Sequence, residues 1–475
     1  MLFNSYTFLI FFAIVFALHM MPFSWRVKKL NLLLGSYVFY AAWNPPFVAL
    51  LWISSVVDWY LAKWMYVAAS KAKKKLLLYA SLGVNLGMLG FFKYANFFNE
   101  NFTALMQGMG MDYVPPEWNI VLPVGISFFT FQTLSYTFDV YRGQLKPWHS
   151  FLDYAMYVTF FPQLVAGPIV RAADFLPQCL EASKVTLQRF GWGISLFVIG
   201  MFSKVVIADG FMAPIVDKVY LGSTDPTFLE AWLGTFAFAI QIFGDFAGYS
   251  TSAIGIALCF GFILPDNFRF PYAAVGFSDF WRRWHISLSS WLRDYLYISL
   301  GGNRKGRIRT QINLMITMLL GGLWHGASWN FVIWGALHGG YLVGERWVKA
   351  IIPPHRIWAA WPLQMLLAGL TFLLVCIAWV FFRSTTLDQS LSFIQIMFSP
   401  NGNLLDGALL EKIDMALVVL MTGVILTFQW TFRHKTIECA AGQLPWWLRG
   451  LVLAGLAIAI TLMPGDDRAF IYFQF

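Results

Sequence analysis

Residues 311–344 read QINLMITMLLGGLWHGASWNFVIWGALHGGYLVG and contain no Asp, Glu, Lys or Arg. A helix needs roughly 20 mostly apolar residues to cross a hydrocarbon core about 30 Å thick. This run is too long for one crossing and is interrupted by Gly321-Gly322-Leu323-Trp324-His325-Gly326. It reads as a helical hairpin, or as two half-helices meeting inside the protein. A second long run, 229–263, carries Gly244-Asp245-Phe246-Ala247-Gly248 near its middle and reads the same way. Further apolar stretches lie near 3–21, 30–43, 46–67, 76–92, 119–140, 151–170, 191–208, 361–382, 415–432 and 447–463. Backbone groups in lipid must be satisfied internally, and continuous apolar runs favour helices over the alternating strands of a barrel. The expectation is an all-α polytopic membrane protein with about eleven to thirteen crossings plus re-entrant or interfacial helices.

Composition agrees. Of 475 residues, 59% are hydrophobic, 19% aromatic and 12% charged, against about 25% charged in soluble domains. A soluble, disordered, collagen-like or nucleic-acid-binding protein is excluded on those numbers. The four cysteines (Cys179, Cys259, Cys376 and Cys439) lie far apart with no CxxC pair, which argues against a zinc site, a redox site or a disulfide framework. No metal site is expected. Cys259 and Cys376 fall in apolar runs and read as packing residues.

The net charge of +9 belongs to loops, and basic loops mark the cytoplasmic face. Arg26, Lys28 and Lys29 follow the first helix, so the N-terminus is expected outside, with no cleaved signal peptide. Lys71–Lys75 marks an inner loop, as do Arg304, Lys305, Arg307 and Arg309, and then Arg433 and Lys435. Segment 95–118, with Glu100, Asp112 and Glu117, and loop 384–414 are expected outside; the last helix then carries 465–475 outward. The topology of 170–230 does not follow from charge. The chain is read as one membrane domain over 1–475: N-terminal helices 1–270, a core 271–345, and C-terminal helices with an outer tail 346–475.

Ionisable groups at membrane depth mark function by default. His325 stands among three glycines that weaken the helix and admit close approach. It is either a buried histidine bonded to a backbone carbonyl or a general base. His285 lies in the amphipathic stretch 280–295, where Trp284, Leu288, Trp291 and Tyr295 recur at helical spacing. That stretch is either an interfacial helix with aromatic anchors or a re-entrant helix lining a polar cavity. His338 and Trp324 read as packing or supporting residues, and Asp245 as an acid whose partner is not legible. Asp58 and Asp209 lie nearer segment ends. His19, His149, His355 and His434 lie near loops and receive no catalytic role.

Taken together, residues 280–288 (FWRRWHISL), 291–304 (WLRDYLYISLGGNR) and 321–326 (GGLWHG) resemble the signature of the membrane-bound O-acyltransferases, within them the bacterial alginate O-acetyltransferase branch. Residues 92–97 (FKYANF), 122–128 (LPVGISF), 139–143 (DVYRG), 166–168 (AGP) and 470–475 (FIYFQF) extend the likeness along the chain. The resemblance implies a helical shell with a thinned centre where two funnels meet. It implies that His325 is the essential histidine and that His285 takes the second site position. It also implies acyl transfer from a cytoplasmic donor, expected to be acetyl-CoA as co-substrate with no bound cofactor, across the bacterial inner membrane. The acetyl group would serve O-acetylation of an exported polysaccharide such as alginate or cellulose, with a periplasmic SGNH-type acetyltransferase as partner. A lipid-directed O-acyltransferase of the same superfamily, or a transporter without chemistry of its own, are the alternatives; membrane lipid surrounds the protein in every case.

On this reading Arg304, Lys305, Arg307 and Arg309 hold the CoA phosphates, or serve only as topological charges. If 469–475 is extended, Ile471, Phe473 and Phe475 share one face and Tyr472 the other. Tyr472 is then a candidate transient acyl carrier, since a phenol ionises more readily than a sugar hydroxyl. Its alternative role is an aromatic anchor at the membrane interface.

Overall fold

The computed structural model describes all residues except 117, 119, 166, 183–184, 353–357, 359, 400–408, 437–440, 464–467, 469 and 472–475. The described secondary structure is all helical, as expected for a polytopic membrane protein. Among the described residues, six helical segments are long and apolar enough to cross a membrane: Pro45–Val67, Lys71–Gly108, Leu187–Tyr220, Phe228–Cys259, Trp361–Arg383 and Lys412–Phe432. Tyr6–Met20 and Trp446–Leu462 are shorter apolar helices. The described residues form two compact units, residues 1–194 with 253–265 and residues 195–252 with 266–475.

In the first unit, α1 (Tyr6–Met20), α2 (Trp25–Ala41), α3 (Val48–Val67), α4 (Lys71–Leu89), α5 (Ala95–Gly108), α6 (Ile126–Tyr141) and α7 (Phe151–Thr159) follow in order. The serines before α1 and α4 cap them, Ser5 accepting from the Phe8 amide and Ser70 from the Lys73 amide, each at 3.1 Å. Helices α3, α4 and α6 pack on one another around a buried polar network. There Ser81 Oγ donates to Asp58 at 2.6 Å, Asn85 Nδ2 donates to the second carboxylate oxygen at 2.8 Å, and Ser54 Oγ donates to Asn85 Oδ1 at 2.7 Å. Asp58 therefore has neutral donors, which is how a carboxyl group is accommodated away from water. Lys29 and Asp153 form a second buried pair, linking α2 to α7.

The second unit holds most of α10 (Phe228–Cys259), preceded by α8 (Leu187–Met201) and α9 (Ala213–Tyr220). Between α8 and α9, residues Phe202–Met212 continue as a wide i→i+5 helix, a geometry that recurs at functional sites. The expected break at 244–248 is absent: α10 runs unbroken. The glycines there serve close packing instead. A Cβ on Gly248 would stand 2.6 Å from Gly200 O and 3.0 Å from Lys204 N, and one on Gly244 would stand 3.0 Å from Ser203 O. Asp245 between them does not break the helix because Lys204 neutralises it.

Downstream come α11 (Ile286–Trp291), α12 (Arg307–His325), α13 (Trp329–Ile351), α14 (Trp361–Arg383), α15 (Leu387–Phe398), α16 (Lys412–Phe432) and α17 (Trp446–Leu462). The 311–344 run is a hairpin as expected, turning at Gly326–Ser328. Helices α12 and α13 approach so closely that a Cβ on Gly335 would collide with Met318 O, and one on Gly322 with Phe331 O. Stretch 280–295 is not an interfacial helix. Its helical course is interrupted at 281–285, and Trp284, Leu288, Trp291 and Tyr295 are 1%, 1%, 7% and 4% exposed. Those aromatic and leucine side chains are core residues of the second unit, not anchors on a surface.

Candidate active site

Every candidate histidine that the sequence placed in the core falls in the second unit. His325 is the last residue of α12, with Gly326 in extended conformation ending the helix. It is 3% exposed, with ring centroids 5.0 Å from Trp324, 4.9 Å from Trp334 and 5.3 Å from Phe382. A helix C-terminus favours positive charge, so this position suits an imidazole that becomes imidazolium when it takes a proton.

His285 reaches the same place from another element. It precedes α11, and its φ of 42° puts a non-glycine residue in the left-handed region, which costs on the order of 1–3 kcal/mol. Asn267, 1% exposed, holds it there. The Asn267 carbonyl oxygen accepts the Ile286 amide at 2.9 Å, and its side-chain Oδ1 accepts the Ser287 amide at 3.2 Å and Ser287 Oγ–H at 2.8 Å. The first amides of a helix lack intrahelical partners, and Asn267 supplies them from outside the helix. The same Oδ1 lies 3.1 Å from His285 Nδ1. Since the Ser287 amide can only donate, that atom is the acceptor. Nδ1 of a neutral His285 then carries the proton, leaving the lone pair on Nε2.

Trp324 joins the two imidazoles, its ring centroid 5.0 Å from His325 and 5.9 Å from His285. On the far side of His325, Trp334 leads to His338 at 4.6 Å. His338 is fully buried among Phe280, Trp281, Trp334 and Tyr341, and neither ring nitrogen has a hydrogen-bond partner among the described residues. His285, Trp324, His325, Trp334 and His338 thus form one continuous row of buried rings.

On the other flank, Phe246 stands edge-on to His285 at 4.7 Å. Beside it Asp245, the acid singled out in the sequence, pairs with Lys204 Nζ at 2.5 Å; Lys204 also pairs with Asp209 at 2.9 Å. All three are at most 5% exposed. Lys204 and Asn267 were missed in the sequence. Lys204 sits amid an apolar run, and a lysine between Phe202-Ser203 and Val205-Val206-Ile207 was the available signal. Asn267 lies 18 residues from His285 in the loop Pro265-Asp266-Asn267, with nothing in its spacing to connect it.

Arg304, Lys305, Arg307 and Arg309 are all exposed around the start of α12, and among the described residues none forms an ion pair. Tyr472 lies outside the described residues.

Residues 140–387 match the family model of the membrane-bound O-acyltransferases. A probable alginate O-acetylase of Azotobacter vinelandii is 43% identical over 375 residues, covering 79% of this chain and 73% of the relative. A peptidoglycan O-acetyltransferase of Helicobacter pylori is 38% identical over 407 residues, covering 79% and 74%. A teichoic acid D-alanyltransferase of Bacillus subtilis is 29% identical over 287 residues, covering 56% and 70%.

Proposed function

The chain belongs to the membrane-bound O-acyltransferase family, and from that premise we propose that it takes acetyl from acetyl-CoA at the inner face of the bacterial inner membrane and delivers it outward for O-acetylation of an exported polysaccharide. Acetyl-CoA is charged and does not cross lipid, whereas the glycan lies outside. Only the acetyl group makes the passage, through two funnels that meet at His325. The observation that carries this reading is the arrangement of two buried imidazoles, from two separate elements, against one indole ring. Relatives that acetylate alginate and peptidoglycan support a polysaccharide acceptor.

His325 is the general base. It takes the proton of the attacking hydroxyl, the hydroxyl oxygen bonds to the thioester carbonyl carbon, and the C–S bond breaks. The imidazolium then returns its proton to the departing thiolate, so the step balances. A hydroxyl needs such a base because it is a weak nucleophile when protonated. His285, held through Nδ1 by Asn267, is the second imidazole of the site and positions the acceptor while His325 removes its proton. Trp324 spaces the two rings, and His338 backs the row. Arg304, Lys305, Arg307 and Arg309 hold the CoA phosphates; their exposure and lack of ion pairs within the described residues fit that role. Tyr472 serves as a transient acetyl carrier on the outer side, and a secreted SGNH-type acetyltransferase passes acetyl to the glycan. Both termini lie outside in this scheme.

The test is acetyl transfer from acetyl-CoA by purified His325→Ala. Loss of turnover in a protein that elutes and melts like the parent is expected. Near-normal turnover would remove the base.

A further inference from the structure

The mechanism leaves one buried charge cluster unused. Lys204, Asp209 and Asp245 are almost sealed from solvent, and dehydrating each ion costs several kcal/mol. Apolar residues would fill the same volume more cheaply. What the cluster holds, besides itself, is the end of the chain. One Asp245 oxygen pairs with Lys204 at 2.5 Å, and the other accepts the backbone N–H of Ile471 at 2.7 Å. Three residues earlier Arg468 pairs with Asp217 at 2.5 Å, and the same carboxylate takes Arg383 at 2.9 Å.

Between these two fixings Phe470 is fully buried. Its ring lies 5.0 Å from Tyr249 and 5.5 Å from Phe246, and Phe246 is the ring that stands edge-on to His285. Lys204 Nζ also sits 5.8 Å over the Tyr249 ring. A segment with charged fixings at Arg468 and Ile471, and an aromatic wedge between them, is therefore built against the wall of the candidate active site.

We propose that Lys204, Asp245 and Asp217 are positioning residues that latch Arg468, Phe470 and Ile471 against Phe246, so that these residues form the wall behind His285. The latch acts through Phe246 and touches no reacting atom. It rests on the reading of His285 and His325 as the transfer site, but not on any role for Tyr472. Releasing it frees Phe246 to move and lets His285 drift from the orientation that Asn267 sets, which slows transfer without weakening capture of the donor.

The full-length protein in detergent provides the test, with acetyl-CoA as donor. Ile471→Pro deletes the amide that meets Asp245 and leaves the ion pair intact; Ile471→Ala keeps the amide. Loss of one charge-assisted hydrogen bond lowers kcat about tenfold or more, with the KM for acetyl-CoA within about twofold. Limited trypsin treatment supplies a second readout, because the Arg468 side chain that trypsin must bind is paired with Asp217 while the latch is closed. Ile471→Pro is expected to be cut there faster than the parent, and Ile471→Ala to stay much nearer the parent in both readouts. Lys204→Met, which removes the cation, should reproduce the proline variant. If that variant fails to fold, the comparison of Ile471→Pro with Ile471→Ala decides alone.

Parental kcat and parental trypsin resistance in Ile471→Pro would overturn the latch. So would equal losses in the proline and alanine variants, which would assign the effect to side-chain packing. Faster cleavage with undiminished kcat would overturn the link to transfer and leave the site reading standing. Full activity of His325→Ala would instead sink the site reading, whatever the tail does.

Discussion

Replacing Asn267 by Leu keeps the side chain's approximate volume and removes the oxygen on which three donors converge. His285 Nδ1 at 3.1 Å, the Ser287 amide at 3.2 Å and Ser287 Oγ at 2.8 Å all lose their partner. A buried donor left unsatisfied costs about 1–3 kcal/mol. The left-handed backbone at His285 adds strain that then lacks its support. Of that penalty, the part borne by His285 appears as lost orientation, and each 1.36 kcal/mol is about tenfold in rate. The expected result is a fall in kcat of about ten- to a hundredfold, with the KM for acetyl-CoA little changed, because Asn267 contacts His285 and not the basic residues 304–309 proposed to hold the donor. Asn267→Asp retains an acceptor at the same place and should recover much of the rate. The assay is steady-state release of CoA thiol, with thermal melting to confirm that each variant is folded. Parental kcat in the leucine variant would refute the reasoning. So would leucine and aspartate variants that fail to the same extent, since that would trace the loss to packing alone.

Neutralising Arg304, Lys305, Arg307 and Arg309 to Gln should raise the KM for acetyl-CoA and weaken its dependence on salt, as expected where exposed charges meet a polyanion; titrating KM against sodium chloride checks this. Gly335→Val forces a side chain onto Met318 O and should destabilise the α12–α13 hairpin by about 1–3 kcal/mol, read as a lowered melting temperature. Tyr472→Phe keeps an aromatic anchor and deletes the hydroxyl; glycan acetylation should fall sharply while folding is retained, and full acetylation would exclude the carrier.

The parts of the fold that were legible in the sequence are those with local causes. The hairpin of 311–344 followed from length and from its glycine-rich middle, and His325 from its place at that turn. Glycines at 244 and 248 look the same in sequence as Gly326, yet they pack against 200–204 within an unbroken helix, whereas Gly326 ends α12. Nothing local separates a glycine that ends a helix from one that admits a neighbour. The aromatic residues of 280–295 have a spacing that suits either a surface or a core, and only tertiary burial decides between them. Partners distant in the chain were the least legible. Asp245 was visible as an unusual acid, but Lys204 and the Ile471 amide meet it only after folding, and Asn267 reaches His285 through a backbone conformation that spacing does not reveal.

In the proposed mechanism the acetyl group crosses at His325 while its carrier stays behind. Sealed proteoliposomes measure this directly, with acetyl-CoA bearing separate labels on its acetyl and CoA halves trapped at the inner face, and the glycan with its secreted acetyltransferase outside. The acetyl label should appear on the outer glycan with the CoA label retained inside, and His325→Ala should abolish the transfer. Passage of both labels together, or undiminished acetyl export by His325→Ala, would contradict the account.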